Sequence, residues 1–153
     1  MEFPAASPPY VVAGFSVQRV MLQVLLALLP VAAVQLWLCG PGTLRLLAIA
    51  SITALACEAL ALRLRRQAPQ PFLRDGSVLV TAALLALALP PSLPWWLAVF
   101  GTAVAVLLGK HAYGGLGQNP FNPAMVGYAV LLVSFPLEMT RWPMPLDAAG
   151  AGS

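Results

Sequence analysis

Five apolar runs divide the chain, and the polar residues between them fall into short connectors. The first run, roughly Val20 to Cys39, is about as long as a full membrane crossing. "GPG" at 40–42 marks a turn, and a second run extends roughly from Leu44 to Leu62. "RLRRQAPQPFLRDGS" follows as the charge-rich connection. The third run, Ser77 to Leu89, would span about 20 Å as a helix, less than the ~30 Å hydrocarbon core. "PPSLP" ends it, and a fourth run, Trp95 to Gly109, opens on an aromatic pair suited to an interface. The fifth runs from Pro123 to Phe135. This pattern predicts an all-α integral membrane protein with about five transmembrane helices, some short or broken. Its expected parts are an N-terminal arm at 1–18, a five-helix domain at 19–136 and a C-terminal tail at 137–153.

Composition agrees. The chain is 60% hydrophobic and 8% charged with mean hydropathy +0.85, whereas a soluble domain carries about 25% charged residues. The net charge of +3 comes from basic residues spread between apolar runs, so it is an orientation signal and not a nucleic-acid footprint. The first 18 residues lack the basic region of a signal peptide, so the first run reads as a retained helix. Arg63, Arg65, Arg66 and Arg74 lie in one connection, against Arg45 alone near the first turn. The positive-inside rule puts that connection in the cytoplasm. Counting crossings puts the N-terminus and Lys110 there too, and the tail outside, unless a segment is re-entrant. Cys39 and Cys57, both within apolar runs, read as small buried hydrophobes.

"GGLGQNPFNPAM", residues 114–125, breaks the apolar pattern. Asparagine is a favoured N-cap and proline a favoured first helical residue, so each Asn-Pro pair reads as a helix start, the second one opening run five. Gly114, Gly115 and Gly117 allow a sharp bend and close approach to a ligand. Such backbone is tolerated at membrane depth only when it is buried in protein or lines a cavity. Asn119 and Asn122 then either present amides to a ligand or cap backbone, and the residues alone leave both open. The stretch is not a dinucleotide-binding fingerprint, since no strand precedes it and the glycine spacing is wrong.

"YGGLGQNPFNPAMVGYAVLLVSFP" (113–136) resembles the RnfD/NqrB family of membrane subunits. These belong to the Rnf electron-transport complexes between ferredoxin and NAD and to the sodium-translocating NADH:quinone reductases. "SVQRVMLQVLLALLPVAAVQLW", "EALALRLRRQ" and "LPPSLPWWLAVFGTAVAV" are similar to the same family, in the right order. The resemblance implies a bacterial inner-membrane subunit of about ten spans in two inverted repeats, similar to urea transporters. It implies electron transfer through flavin coupled to ion movement, with other Rnf subunits and the lipid bilayer as partners. It also implies FMN attached to a threonine in an S/D-G-A-T-type segment, and a non-covalent riboflavin. No "GAT" occurs here, and Thr43, Thr53, Thr81, Thr102 and Thr140 all lack that context. The chain is therefore expected to be one inverted-repeat half, an N-terminal fragment not active alone.

On that resemblance Asn119, Asn122, Gly114, Gly115, Gly117 and Lys110 are the expected flavin contacts. For Lys110 the competing expectation is a lysine snorkelling to the interface. His111 is expected at the interface, having no partners for a metal site. Glu58, an acid within an apolar run, is a candidate ion or proton relay, against the expectation that it reaches water or a nearby arginine. Asp75 is expected to cap a helix, and Gln23 and Gln35 to bridge helices. Two other functions fit the chain: a channel half built on the "NPA" at 122–124, and a structural subunit without cofactor.

Overall fold

The computed structural model describes residues 16–66, 75–112 and 120–143, and these are helical, with no strand among them. Helix α1, Val17–Cys39, starts where the Ser16 hydroxyl accepts the Arg19 N–H at 3.3 Å. It ends at Gly40, whose N–H still closes on the Leu36 carbonyl at 2.9 Å and whose positive φ of 76° turns the chain out of the helix. After Pro41 comes α2, Gly42–Leu64. Both helices have 23 residues and are long and apolar enough to cross a membrane. The rest are shorter: α3, Ser77–Ala88; α4, Trp95–Val104, continued by a π-helical segment Ala105–His111; α5, Pro123–Ser134; and α6, Pro136–Thr140. At 12 residues each, α3 and α5 rise about 18 Å.

The helices alternate in direction. One end of the bundle gathers the starts of α1, α3 and α5 and the finishes of α2 and α4. Met21 lies against Gly76 there, and Gly109 against Pro123. At the other end Arg45 donates to the carbonyls of Pro91 (3.3 Å) and Leu93 (3.1 Å), tying the start of α2 to the α3–α4 turn. The Ser92 hydroxyl donates to the Arg141 carbonyl at 2.9 Å, tying that turn to the end of α6.

The core forms on the i, i+4 stripe of α2: Leu46, Ala50, Ala54, Glu58 and Leu62 are all buried. The alanines let α3 come close, and Val78, Ala82, Leu85 and Leu89 fill that face. Helices α4 and α5 meet through small residues. A Cβ on Gly127 would lie 2.5 Å from the Gly101 carbonyl oxygen and 2.9 Å from the Ala105 Cβ, and one on Gly109 would lie 2.8 Å from the Pro123 Cα. Positions 101, 105 and 109 therefore face 131, 127 and 123 in antiparallel order. Apolar contacts drive nothing between helices in lipid, so close backbone approach of this kind supplies the association. At the end of α5 Phe135 stands edge-on to Trp96 (5.4 Å) and Phe100 (6.1 Å).

Helix α1 contributes no buried residue. Leu22, Leu26, Leu29, Val34 and Trp37 stay exposed along it, as a lipid-facing surface requires. Under it lie two apolar cavities, of about 550 and 270 Å³. The Gln35 side chain borders the larger one, and its oxygen makes no hydrogen bond to the described residues, so the expected helix bridge is not formed by that atom. The folded part also continues past the expected tail boundary. Met139 of α6 is buried, and packing extends through Arg141. Helix α1 is capped at Ser16 and begins at Val17, within the stretch 1–18 expected as an arm.

Candidate functional site

Glu58 sits on the buried stripe of α2, fully enclosed, about three-quarters of the way along the helix. Its Oε1 accepts from the Lys110 ammonium at 2.7 Å, and its Oε2 meets His111 Nε2 at 2.8 Å. An ionised carboxylate can only accept, so with Glu58 charged the histidine proton lies on Nε2. Lys110 also donates to the Ser77 hydroxyl at 2.9 Å, and that hydroxyl donates to Asp75 Oδ1 at 2.7 Å. The Arg65 guanidinium donates to the His111 carbonyl. Helices α2, α3 and α4 thus each send polar groups to one point inside an apolar bundle, and only Asp75 and Arg65 reach its surface.

Three expectations are corrected by this geometry. Lys110 does not snorkel: it is 3% exposed and turned inward. His111 is buried at 7%, not interfacial. Glu58 pairs across the bundle with residues of α4, not with an arginine of its own helix. The physical reason is the π-helical segment. The Ala112 N–H reaches back five residues to the Leu107 carbonyl at 3.0 Å. The wider turn brings two consecutive side chains to bear on one carboxylate, and π-turns of this kind are frequent at functional sites. Nothing in "AVLLGKH" announces such a turn. A lone acid and a lone lysine, both expected at the same membrane face, were the signal that could have joined them.

Of the expected flavin contacts, Gly114, Gly115, Gly117 and Asn119 lie outside the described residues. Asn122 is exposed and caps α5: its Oδ1 accepts the Ala124 N–H at 3.0 Å, with Pro123 at the first helical position. The helix start read from Asn122-Pro123 is therefore present. Asn122 commits its oxygen to the cap, and Lys110 donates to Glu58 and Ser77. Asn122→Ala should lower stability by about 1 kcal/mol, and Asn122→Ser should recover most of it, as cap chemistry requires. Thermal unfolding of the two variants in detergent checks this.

Asp75 does the expected capping in a modified way. It accepts the Ser77 N–H at 2.8 Å, while Gly76 takes the left-handed corner at φ 75°. No cluster of three or more metal-ligating side chains occurs among the described residues.

The model of the NQR2, RnfD, RnfE family matches residues 5–152. Over 150 residues the chain is 57% identical to the D subunit of the ion-translocating oxidoreductase complex of Pseudomonas aeruginosa (strain LESB58), a match covering 98% of this chain and 44% of that protein. It is 52% identical over 149 residues to the protein of the same name from Escherichia coli O1:K1 / APEC, covering 97% of this chain and 42% of that one. The chain spans less than half the length of these relatives.

Proposed function

The chain belongs to the NQR2, RnfD, RnfE family, and from that premise we propose that it forms the N-terminal membrane bundle of a subunit in an Rnf-type ion-translocating electron-transport complex. The other subunits of that complex and the lipid bilayer are its partners. The bundle sits in the bacterial inner membrane with the Arg63–Arg66 end, and so the N-terminus, toward the cytoplasm. Electrons pass through flavin in this reading. Its contacts in this half fall to the segment 113–119, with Asn119 and the glycines Gly114, Gly115 and Gly117 as the proposed contacts and Asn122 at the edge. Lys110, which adjoins that segment, also holds the ion pair with Glu58.

The observation that carries the coupling half of this reading is the enclosed Glu58 carboxylate held between Lys110 and His111. Buried charges are expensive, and apolar residues of similar volume often stabilise a fold more. A triad kept at the mouth of a membrane bundle is accounted for by a carboxylate that changes state as an ion passes. The test is Glu58→Gln in the full-length subunit, within the reconstituted complex. The expected result is electron transfer retained while ion uptake into vesicles falls on the order of 100-fold, as for loss of a positioned proton-transfer group. Ion uptake equal to that of the native complex would remove Glu58 from the coupling step.

A further inference from the structure

We infer that Ser77 and Asp75 form a proton path between the buried Glu58 and the end of the bundle. This rests on the reading of Glu58 above and adds to it the exchanged ion, a proton, and its route. The links are Glu58 Oε1 to Lys110 Nζ at 2.7 Å, Lys110 Nζ to Ser77 Oγ at 2.9 Å, and Ser77 Oγ to Asp75 Oδ1 at 2.7 Å. Each is a direct hydrogen-bond contact that needs no intervening water. Chemistry fixes the direction of every hydrogen. The ammonium only donates, so the Ser77 oxygen must accept from it and point its own proton at Asp75. The Ser77 N–H also donates to the receiving oxygen, at 2.8 Å. Burial falls away along the chain: Glu58 is 0% exposed, Lys110 3% and Ser77 5%, and Asp75 is half-buried. Asp75 and Ser77 alone would be an ordinary helix start. The ammonium from α4 that ends on the same hydroxyl makes them a continuous line.

The transfer balances without any other reactant. When Glu58 takes up a proton, the charge holding the Lys110 ammonium is neutralised. Lys110 then gives one proton to Ser77 Oγ as the Ser77 hydroxyl proton moves to Asp75 Oδ1. Glu58 returns its proton to the neutral amine. The net result is one proton moved from Glu58 to Asp75, with only O–H and N–H bonds made and broken, and the reverse sequence brings a proton inward. Among the described residues, the charged and titratable groups facing this line are Glu58 from α2, Lys110 and His111 from the π-helical end of α4, Arg65 beyond α2, and Asp75 itself. His111 holds the second Glu58 oxygen and stands beside the path.

The test is hydrogen–deuterium exchange of the protonated Glu58 carboxyl, followed by infrared spectroscopy after a pH jump on the reconstituted full-length complex. The Glu58 band is assigned by its loss in Glu58→Gln. Ser77→Ala removes the hydroxyl, and Asp75→Asn keeps the cap to the Ser77 N–H while removing the acceptor of the proton. Exchange should slow on the order of 100-fold in both, and Ser77→Thr should restore it. Equal exchange rates in native, Ser77→Ala and Asp75→Asn proteins would overturn the path and leave the reading of Glu58 standing. A native protein with no protonated Glu58 band at any pH would overturn that reading and the path together.

Discussion

Glu58→Ala should cost about 3–5 kcal/mol of stability, because it takes away the carboxylate that faces the Lys110 ammonium inside the bundle. Lys110 is 3% exposed, and the side chain that meets its charge at 2.7 Å would be gone. Of its two side-chain partners named above, the Ser77 hydroxyl would remain and carries no charge. His111 would lose the acceptor at 2.8 Å as well. The loss is that of a counter-charge and not chiefly of packing, so the double variant Glu58→Ala with Lys110→Met should recover much of it. Thermal unfolding of the purified membrane protein measures both. Equal melting temperatures for Glu58→Ala and native protein would mean that the ammonium finds water without cost.

Gly127→Leu should be nearly as damaging, by about 3 kcal/mol or more, at or beyond the upper end of overpacking. Its first side-chain carbon would stand 2.5 Å from a backbone oxygen of α4, which cannot turn aside as a side chain can. Relief requires α5 to move off α4. That movement would also lift Pro123 from Gly109, the contact adjoining Lys110. A matched change on the exposed side of α5, Ala129→Leu, should stay within about 0.5 kcal/mol of native. Equal effects of the two leucines would show that α4 and α5 are not held by close backbone contact.

The helices are legible in the sequence because apolar runs and their proline, glycine and arginine breaks are local signals. The runs at 20–39, 44–62, 77–89, 95–109 and 123–135 correspond to α1 to α5, with shifts of three residues or fewer at every end once α4 is taken with its π-helical continuation to His111. Local signals also account for what the sequence hides. Pro136 reads as a stop, yet it occupies the first turn of α6. The π-helical segment has no sequence mark, so Lys110 and His111 read as facing water. Glu58 and Lys110 are 52 positions apart, and only the fold brings them together. The small residues at 101, 105 and 109, facing 131, 127 and 123 across the joint, stand at a spacing of four, which is the pattern of helices in close contact. The segment 113–119, richest in candidate residues, lies outside what the structure describes.

The wide turn at the end of α4 also acts on the helix as a whole. Along an α-helix every fourth residue overshoots a full revolution by about 40°, so a four-spaced row winds slowly around the cylinder. Gly101 and Ala105 are separated by α-helix, and Ala105 and Gly109 by π-helix. Bonds closed to the fifth residue put more residues into each revolution, so over that stretch the fourth residue falls short instead. Overshoot and shortfall offset each other. Gly101, Ala105 and Gly109 stay aligned along the antiparallel neighbour, where continuous α-helix would have swung the last of them aside. The same correction that keeps α4 in step with α5 sets the azimuth at which the lysine and histidine leave the helix, so the alignment of the joint and the aim of the charges cannot vary independently.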